Sequence, residues 1–366
     1  MQLRIPGPTP LPPAVREAGS RDMIDHRGPE FADLIRDVTG RLKGFFQTSN
    51  DVLILTGSGT GALEAAVVNT LSPGDRVLAV SIGAFGDRFA TIAESFGADV
   101  VRLTFPPGEA AEPGAVEAAI DRSGPFKAVL VTHNETSTGV TNDLEAIARL
   151  VGPTPTLLLV DAISSVGSVE LKTDAWDCDL VLSGSQKGWM VPPGLAMVSV
   201  SAKAWKAYES ARMPRFYWDF GKAKAAFAKG QTPSTPAVSI LFAMRAALTL
   251  MEREGMAGIF ARHQRCAERA RQGILGLGLE LFADPRHASN TVTSVKTPRQ
   301  VDVGTLLRDL RAEGIILSGG QAALAGKIFR IGHLGFVDVE DIDAVIAGLG
   351  GVLERYQPAL SVDGRG

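Results

Sequence analysis

Two charged side chains stand directly after predicted buried strands. Lys187 follows the apolar run 180–182 inside a loop of small residues, 183–188, and Asp161 ends the apolar run 157–160. Short apolar runs are typical of buried strands, and small residues let a flat ring approach the backbone closely. The pair suits pyridoxal phosphate (PLP) chemistry, in which a lysine amine holds the cofactor aldehyde as a Schiff base and a carboxylate keeps the pyridine nitrogen protonated.

Each of these two residues also has an ordinary structural interpretation. A lone lysine after a strand is usually a solvated loop charge, and a lone aspartate is usually a helix cap. The chemical interpretation is favoured only if further elements suited to the same cofactor occur in the right order along the chain.

Three further loops after predicted strands suit a phosphorylated ring. Loop 56–61 is rich in glycine at a helix entry, where backbone N–H groups and the helix dipole favour an anion. It lacks the Lys-Ser/Thr ending of a nucleotide P-loop and the acidic residue of a dinucleotide fold. Loop 83–88 places Phe85 between small residues, where it can cover a ring face. Loop 133–139 offers hydroxyl groups to a phenolic oxygen or carboxylate. Taken alone, the first loop is equally well explained as a glycine-rich helix entry without a ligand. Phe85 taken alone is better explained as a core residue, and loop 133–139 also fits an ordinary polar turn.

The order of strand and helix signals predicts the fold class. Strand candidates alternate with helical stretches through the first two thirds of the chain, which indicates an α/β fold with a mostly parallel sheet covered on both faces. The 366 residues suit two domains rather than one core. We expect an N-terminal arm at 1–20, a large domain at 21–254 and a small α/β domain at 255–366. In the small domain we expect helices at 255–277 and 338–353 and strands at 291–296, 315–317 and 328–331.

Composition excludes several classes of protein. A hydrophobic content of 45% and a charged content of 21% are ordinary for a globular protein. The net charge of −3 gives no electrostatic case for nucleic acid. No apolar run reaches the ~18 residues of a membrane span, and no signal peptide is recognised. Two cysteines, Cys178 and Cys266, give no disulfide framework and fit a reducing cytoplasm.

Taken together and in this order, the motifs resemble fold-type I PLP enzymes of the class V aminotransferase group. Within that group they are similar to the alanine–glyoxylate and serine–glyoxylate (serine–pyruvate) aminotransferases. The resemblance covers nearly the whole chain. The matching segments are 6–10, 58–64, 135–139, 160–165, 183–188, 192–194 and 329–332.

The resemblance implies a role for each matching residue. Lys187 would be the Schiff-base lysine and proton carrier, Asp161 the partner of the pyridinium nitrogen, and Arg330 the group that grips the substrate α-carboxylate. The chain departs from many relatives at Phe85, where they have Trp, and from some at Thr232, where they have Tyr. The implied cofactor-binding residues are Ser58, Gly59, Thr60 and Gln186 at the phosphate, Phe85 on the ring, Thr136 near the phenolic oxygen or Asp161, and Thr232 and Thr235 reaching the phosphate from the other subunit of a homodimer.

The implied activity is transfer of an amino group from alanine or serine to glyoxylate or pyruvate. The alternatives are another class V aminotransferase acting on aspartate, ureidoglycine or an aminophosphonate, or a PLP-binding regulatory protein without turnover. A cysteine desulfurase is disfavoured because neither Cys178 nor Cys266 is expected in a mobile loop. We expect no metal site, because His26, His133 and His333 lack metal-ligand spacing. Trp189 is expected to pack in the core.

Overall fold

The secondary structure follows the order expected from the sequence. The computed structural model describes residues 1–356, so the last ten residues of the expected small domain, 357–366, lie outside the described residues. The strands are β1 (Gln2–Leu3), β2 (Asp51–Gly57), β3 (Arg76–Ser81), β4 (Asp99–Thr104), β5 (Ala128–Thr132), β6 (Asn134–Glu135), β7 (Val140–Thr141), β8 (Leu157–Asp161), β9 (Leu180–Gly184), β10 (Gly194–Val200), β11 (Val292–Lys296), β12 (Ile315–Ile316), β13 (Ser318–Gly319) and β14 (Ile328–Gly332).

Helices connect most of these strands. Several begin with a side-chain cap; Asp143, for example, accepts a hydrogen bond from the Ala146 backbone N–H, which satisfies a donor that the first helical turn leaves free. The helices are α1 (Pro13–Gly19), α2 (Pro29–Phe46), α3 (Gly59–Thr70), α4 (Ala84–Ser95), α5 (Pro113–Ser123), α6 (Leu144–Val151), α7 (Ala202–Ser210), α8 (Phe220–Ala228), α9 (Val238–Glu254), α10 (Met256–Gly276), α11 (Val303–Ala312) and α12 (Val339–Glu354).

A seven-stranded sheet lies at the centre, with the strand order β2-β10-β9-β8-β5-β3-β4. From β9 to β4 all neighbours are parallel, whereas β10 is antiparallel to both β9 and β2. β5, β8 and β9 are buried along their whole length, as expected of parallel strands covered by helices. The predicted mostly parallel sheet is confirmed.

Alternate residues of the central strands contribute to two different hydrophobic clusters. Leu78 and Val80 of β3 belong to one cluster, which also contains residues of α2 and α9, while Val77 and Ala79 belong to the other, which contains α3. Side chains of a strand alternate between the two faces of its sheet. The sheet is therefore packed by helices on both faces.

The strand directions bring five loops to one edge of the sheet. Because β10 is antiparallel to both β2 and β9, β2 runs in the same direction as β3, β5, β8 and β9. The carboxyl ends of all five strands therefore meet. Ligands of open α/β sheets bind outside these ends.

A smaller antiparallel sheet has the order β11-β14-β13 and packs with α10, α11 and α12 around a third hydrophobic cluster. The expected strand 315–317 forms as β12, but it is not part of the small sheet, and β13 is a separate strand that begins one residue beyond the expected range. β12 pairs in parallel with β1 of the N-terminal arm, and β13 joins the small sheet. The arm thus has a partner that no local pattern revealed. The domain boundaries near residues 20 and 255 stay predictions.

Candidate active site

Lys187 lies in the loop that follows β9, and buried hydrogen bonds fix this loop. Ser185 Oγ donates to Pro192 O at 2.7 Å, and Trp189 Nε1 donates to Ser183 Oγ at 2.8 Å. Trp189 is fully buried against the rings of Phe45 and Phe46, so its predicted packing role is confirmed. The loop backbone therefore holds the lysine in a defined place.

The Lys187 amine is removed from water, and this burial lowers its pKa to about 8, with Asp161 opposing the shift and Arg330 adding to it. The amine donates a hydrogen bond to Pro6 O at 2.5 Å. A lysine with a pKa near neutrality can both accept and return a proton. This is the ionisation behaviour that a proton carrier needs.

Asp161 is the last residue of β8 and is 4% exposed. One carboxylate oxygen, Oδ1, accepts the Ile163 N–H at 3.1 Å. Burial raises the pKa of Asp161 to about 7; the Ile163 N–H, Lys187 and Arg88 oppose this shift, and the nearby Glu135 adds to it. A protonated ring nitrogen beside this carboxylate would restore its ionised form, so the residue fits the proposed cofactor.

A cavity of about 100 Å³ opens between these two side chains. Its lining brings together most residues that the sequence singled out for the cofactor, although they lie up to 129 positions apart. Asn134, Ser164, Arg88, Leu63 and Ile163 also line it and were not foreseen. The lining residues predicted from the sequence are Ser58, Gly59, Thr60, Phe85, Thr136, Asp161, Gln186 and Lys187.

The entry of α3 forms one end of the cavity. Ser58 is the N-cap residue, and its side chain makes no capping hydrogen bond, so the first N–H groups of the helix are not capped by it. The Gln186 side-chain oxygen is buried without a partner among residues 1–356; turning the amide would present its NH₂ group as a donor instead. Helix N–H groups and an amide donor are what a phosphate monoester requires.

Gly59 is required at the start of α3 for a steric reason. A Cβ atom added there would lie 2.6 Å from the Ile163 side chain. The α3 entry therefore packs directly against the loop that follows Asp161. This contact sets the distance between the phosphate end of the cavity and the carboxylate.

Phe85 is positioned by a buried carboxylate. The Glu135 carboxylate accepts hydrogen bonds from the backbone N–H groups of Phe85 and Gly86 at 3.0 and 3.1 Å. It also accepts hydrogen bonds from the backbone N–H and the hydroxyl group of Ser137 at 3.0 and 2.6 Å. A carboxylate at the start of α4 also complements the helix dipole. Arg88 lies 4.9 Å from the Phe85 ring centroid and donates to Thr60 Oγ1 at 3.5 Å.

Arg330 lies on β14, 4% exposed, and its guanidinium contacts backbone carbonyls rather than a carboxylate. Nε and Nη2 donate to Gly319 O at 2.9 and 2.8 Å, and Nη1 donates to Thr136 O at 2.8 Å. No salt bridge to Arg330 occurs within the described part of the chain. Nη1 and Nη2 each keep a further N–H. The bond to Thr136 places the guanidinium beside the lining of the cavity.

Thr232 and Thr235 do not reach this cavity within one chain. Thr232 Oγ1 donates to Ser234 O at 2.8 Å, in a separate cleft that Trp218 also lines, and Thr235 is exposed. The family resemblance implies that both residues reach the phosphate bound by a partner subunit, and a single chain contains no such partner. Their role stays a prediction.

The residues that sequence reasoning missed act through side-chain contacts between distant loops. Asn134 Nδ2 donates to Ser164 Oγ and Thr291 Oγ1 at 2.7 and 2.8 Å. These bonds tie the loop after β5 to the loop after β8 and to the residue that precedes β11. Arg88 had a signal, because it stands three positions after Phe85, one helical turn further on.

The family model for class-V aminotransferases matches residues 14–345. The chain belongs to this family. A chain from Synechococcus sp. named as a soluble hydrogenase small subunit is 46% identical, covering 96% of this chain and 92% of the relative. An L-aspartate–glyoxylate aminotransferase from Paracoccus denitrificans is 37% identical, covering 90% and 85%. The structure of an alanine–glyoxylate aminotransferase from Nostoc sp. matches with a TM-score of 0.93 at 33% identity, covering 96% and 95%.

The protein is therefore an aminotransferase whose cofactor is PLP and whose substrates are an amino acid and a 2-oxo acid. The predicted family, fold and class of reaction are confirmed. Among the described residues, no helix is both long and apolar enough to cross a bilayer.

Proposed function

We propose that this aminotransferase transfers the amino group of alanine or serine to glyoxylate or pyruvate. The observation that carries the proposal is the convergence of Lys187 and Asp161 on one small cavity, beside the guanidinium of Arg330, which has no carboxylate partner among residues 1–356. The two similar aminotransferases from Paracoccus denitrificans and Nostoc sp. are both named for glyoxylate as a substrate.

In this proposal Arg330 holds the substrate α-carboxylate. Its three carbonyl bonds fix the guanidinium plane, and the remaining N–H on each terminal nitrogen is free to meet a carboxylate. A guanidinium binds a carboxylate with two parallel hydrogen bonds, which add geometric specificity. Fixing the carboxylate also orients the Cα–H bond toward Lys187.

Lys187 transfers the proton, and Asp161 maintains the charge of the cofactor ring. When bound, the PLP ring withdraws electrons from Cα and thereby stabilises the charge left by proton removal. Asp161 keeps the ring nitrogen protonated, because a buried carboxylate strongly favours a neighbouring positive charge. The Lys187 amine takes the Cα proton and returns it at a neighbouring carbon. Ser58, Gly59, Thr60 and Gln186 hold the phosphate, and Phe85 covers the ring.

Aspartate is a second candidate donor. Arg88 lines the cavity and forms no ion pair with a carboxylate among residues 1–356, so a second cationic group faces the site. The similar protein from Paracoccus denitrificans is named as an L-aspartate–glyoxylate aminotransferase. Ureidoglycine and aminophosphonates remain further alternatives without a supporting contact.

A donor panel separates these possibilities. Alanine, serine, aspartate, ureidoglycine and 2-aminoethylphosphonate would each be assayed with glyoxylate and with pyruvate. The proposal expects the highest kcat/KM for alanine or serine, whereas a preference for aspartate would transfer the assignment to the second candidate. The cofactor absorbance should also change when L-alanine or L-serine is added to the purified protein. If this absorbance stays constant with every donor tested, the protein does not act on any of them as an aminotransferase.

Arg330→Lys is expected to lower kcat/KM for every α-carboxylate substrate by about 10–100-fold, which corresponds to a lost charged hydrogen bond. A lysine supplies charge but not the two-bond fork. PLP content should be unchanged. The measurement is steady-state kinetics with alanine and glyoxylate, and Arg308→Lys, at an exposed helical position, is the control. Unchanged kinetics in Arg330→Lys would show that the carboxylate is held elsewhere.

We further propose a cytoplasmic homodimer with shared active sites. Thr232 and Thr235 are accessible in the single chain and match positions that reach a partner's phosphate. Cys178 and Cys266 are unpaired and buried, which fits a reducing compartment.

Sedimentation velocity at assay concentration is expected to show a dimer, and Thr235→Val is expected to weaken PLP binding by about tenfold through one lost hydrogen bond to a charged group. Ser210→Ala, in an exposed part of α7, is the matched control for removal of a hydroxyl. A fully active monomer would refute the shared site.

A further inference from the structure

The first residues of the N-terminal arm are hydrogen-bonded to the segment of β12 and to β14 of the small sheet. Backbone N–H groups of Gln2 and Arg4 donate to Gly314 O and Ile316 O at 2.7 and 2.9 Å, and Gly332 N donates to Arg4 O at 2.7 Å. The Arg4 guanidinium pairs with Asp341 at 2.5 Å. The arm therefore follows the small sheet that carries Arg330.

A few residues later the same arm is tied to the lysine loop. Thr9 N donates to Gln186 O at 3.2 Å, and Thr9 Oγ1 donates to Lys187 O at 3.0 Å. Thr9 is 5% exposed, so water competes little for these bonds. The segment between Arg4 and Thr9 thus bridges the small sheet and Lys187.

Gly7 lies directly against the lysine side chain at the middle of this bridge. Its φ of +128° is a conformation that other residues rarely adopt. A Cβ atom added to Gly7 would lie 2.7 Å from Lys187 Cδ, 2.9 Å from Cε and 2.8 Å from Nζ. The neighbouring Pro6 carbonyl accepts the amine hydrogen bond at 2.5 Å.

We propose that Pro6 and Gly7 position the Lys187 amine. The Pro6 carbonyl accepts its hydrogen bond whenever the amine is free of the cofactor, and the absent side chain of Gly7 leaves the space that the lysine occupies. The inference rests on the proposed function, because it takes Lys187 as the cofactor-linked lysine. Gly7 is a positioning residue, since it acts on the reaction through Lys187.

The charge around the amine explains why a carbonyl is a suitable acceptor. Asp161 and Glu135 favour the ammonium form, Arg330 and Arg88 oppose it, and burial is the largest influence, holding the pKa of Lys187 at about 8. An uncharged carbonyl holds the amine without adding a full negative charge beside it. Loss of the carbonyl hydrogen bond by itself would lower the pKa, but displacement of the amine toward water or toward Asp161 relieves burial, which is the larger influence, and the pKa would therefore rise.

The test uses the full-length enzyme loaded with pyridoxamine phosphate, the form in which Lys187 has a free amine. Competitive labelling with acetic anhydride across a pH range, read by peptide mass spectrometry, gives the ionisation midpoint of Lys187. In Gly7→Ala we expect this midpoint to rise by about one pH unit or more. We also expect kcat to fall by about tenfold or more with KM nearly unchanged, because Arg330 still binds the substrate.

Gly74→Ala is the matched control. Gly74 also has a positive φ, +83°, but an added Cβ would meet nothing within 4 Å. It shares the backbone strain without the contact, so its Lys187 midpoint should equal that of the wild type. An unchanged midpoint in Gly7→Ala, or an equal rise in Gly74→Ala, would overturn the proposal.

Thr9→Val provides a second variant that introduces no clash. It removes the hydrogen bond from Thr9 Oγ1 to Lys187 O at nearly constant side-chain shape. Because this bond holds the arm that carries Pro6 and Gly7 against the lysine loop, its loss should also raise the Lys187 midpoint, by a smaller amount than Gly7→Ala does. If Gly7→Ala does not fold, an unchanged midpoint in Thr9→Val overturns the proposal. Failure of the proposed function would be distinguishable, because a different donor preference would appear in the donor panel and a different cofactor lysine in borohydride mapping.

Discussion

Lys187→Ala is expected to reduce transamination by about 10⁴-fold or more, because one side chain supplies both the covalent attachment and the proton transfer. Burial lowers the pKa of this amine to about 8, so a substantial neutral fraction is available near neutral pH. No other lysine lines the cavity among the described residues. PLP should still bind through its phosphate and ring contacts. The measurement is single-turnover conversion of alanine, followed by the cofactor absorbance.

Lys172→Ala is the control for this experiment. Lys172 is partly exposed and pairs with Glu170 at 3.3 Å, away from the cavity, so its loss should leave turnover unchanged. Thermal unfolding should show that Lys187→Ala keeps its fold, since the wild-type side chain makes one carbonyl hydrogen bond. Near wild-type turnover in Lys187→Ala would remove this residue from the chemistry.

Asp161→Asn is expected to lower kcat by about 100-fold or more, the scale on which enzymes lose a positioned electrostatic group. The two side chains have nearly the same shape, and the Asn oxygen can still accept the Ile163 N–H. The loss is therefore electrostatic: without a carboxylate the ring nitrogen has no ionised partner to keep it protonated. Single-turnover kinetics and the cofactor absorbance spectrum measure the effect.

The matched control is Asp177→Asn, the same chemical change at an exposed position. Asp177 has a φ of +50°, which asparagine also tolerates, so the backbone should accept the change. Its kinetics should equal those of the wild type. If Asp161→Asn also turns over at the wild-type rate, Asp161 is not the partner of the ring nitrogen.

Lys187 and Asp161 could be found from the sequence because both stand at the ends of strongly apolar strands. The local pattern gave the strand ends, and the order of the other motifs favoured their joint role; the structure shows that β8 and β9 are adjacent and parallel, so their carboxyl ends meet. The central sheet was predictable for the same reason. Alternating strand and helix signals leave few topologies to consider.

Other parts of the site were not visible in any local pattern. Glu135 supports Phe85 across 50 positions, and Asn134 contacts Thr291 across 157. Such bonds depend on how distant loops meet after folding. The pairing of β1 with β12 is similar, since two-residue strands carry no periodicity to read. The predicted contacts of Thr232 and Thr235 with a partner chain involve residues of two subunits, and a single chain does not contain them.

Borohydride reduction followed by peptide mapping tests the central claim most directly. Reduction fixes the cofactor irreversibly to whichever lysine holds it, without altering the sequence. We predict a pyridoxyl group on Lys187 and on no other lysine. A pyridoxyl group on Lys172 or Lys203, with Lys187 unmodified, would contradict the assignment on which this account of the active site is built.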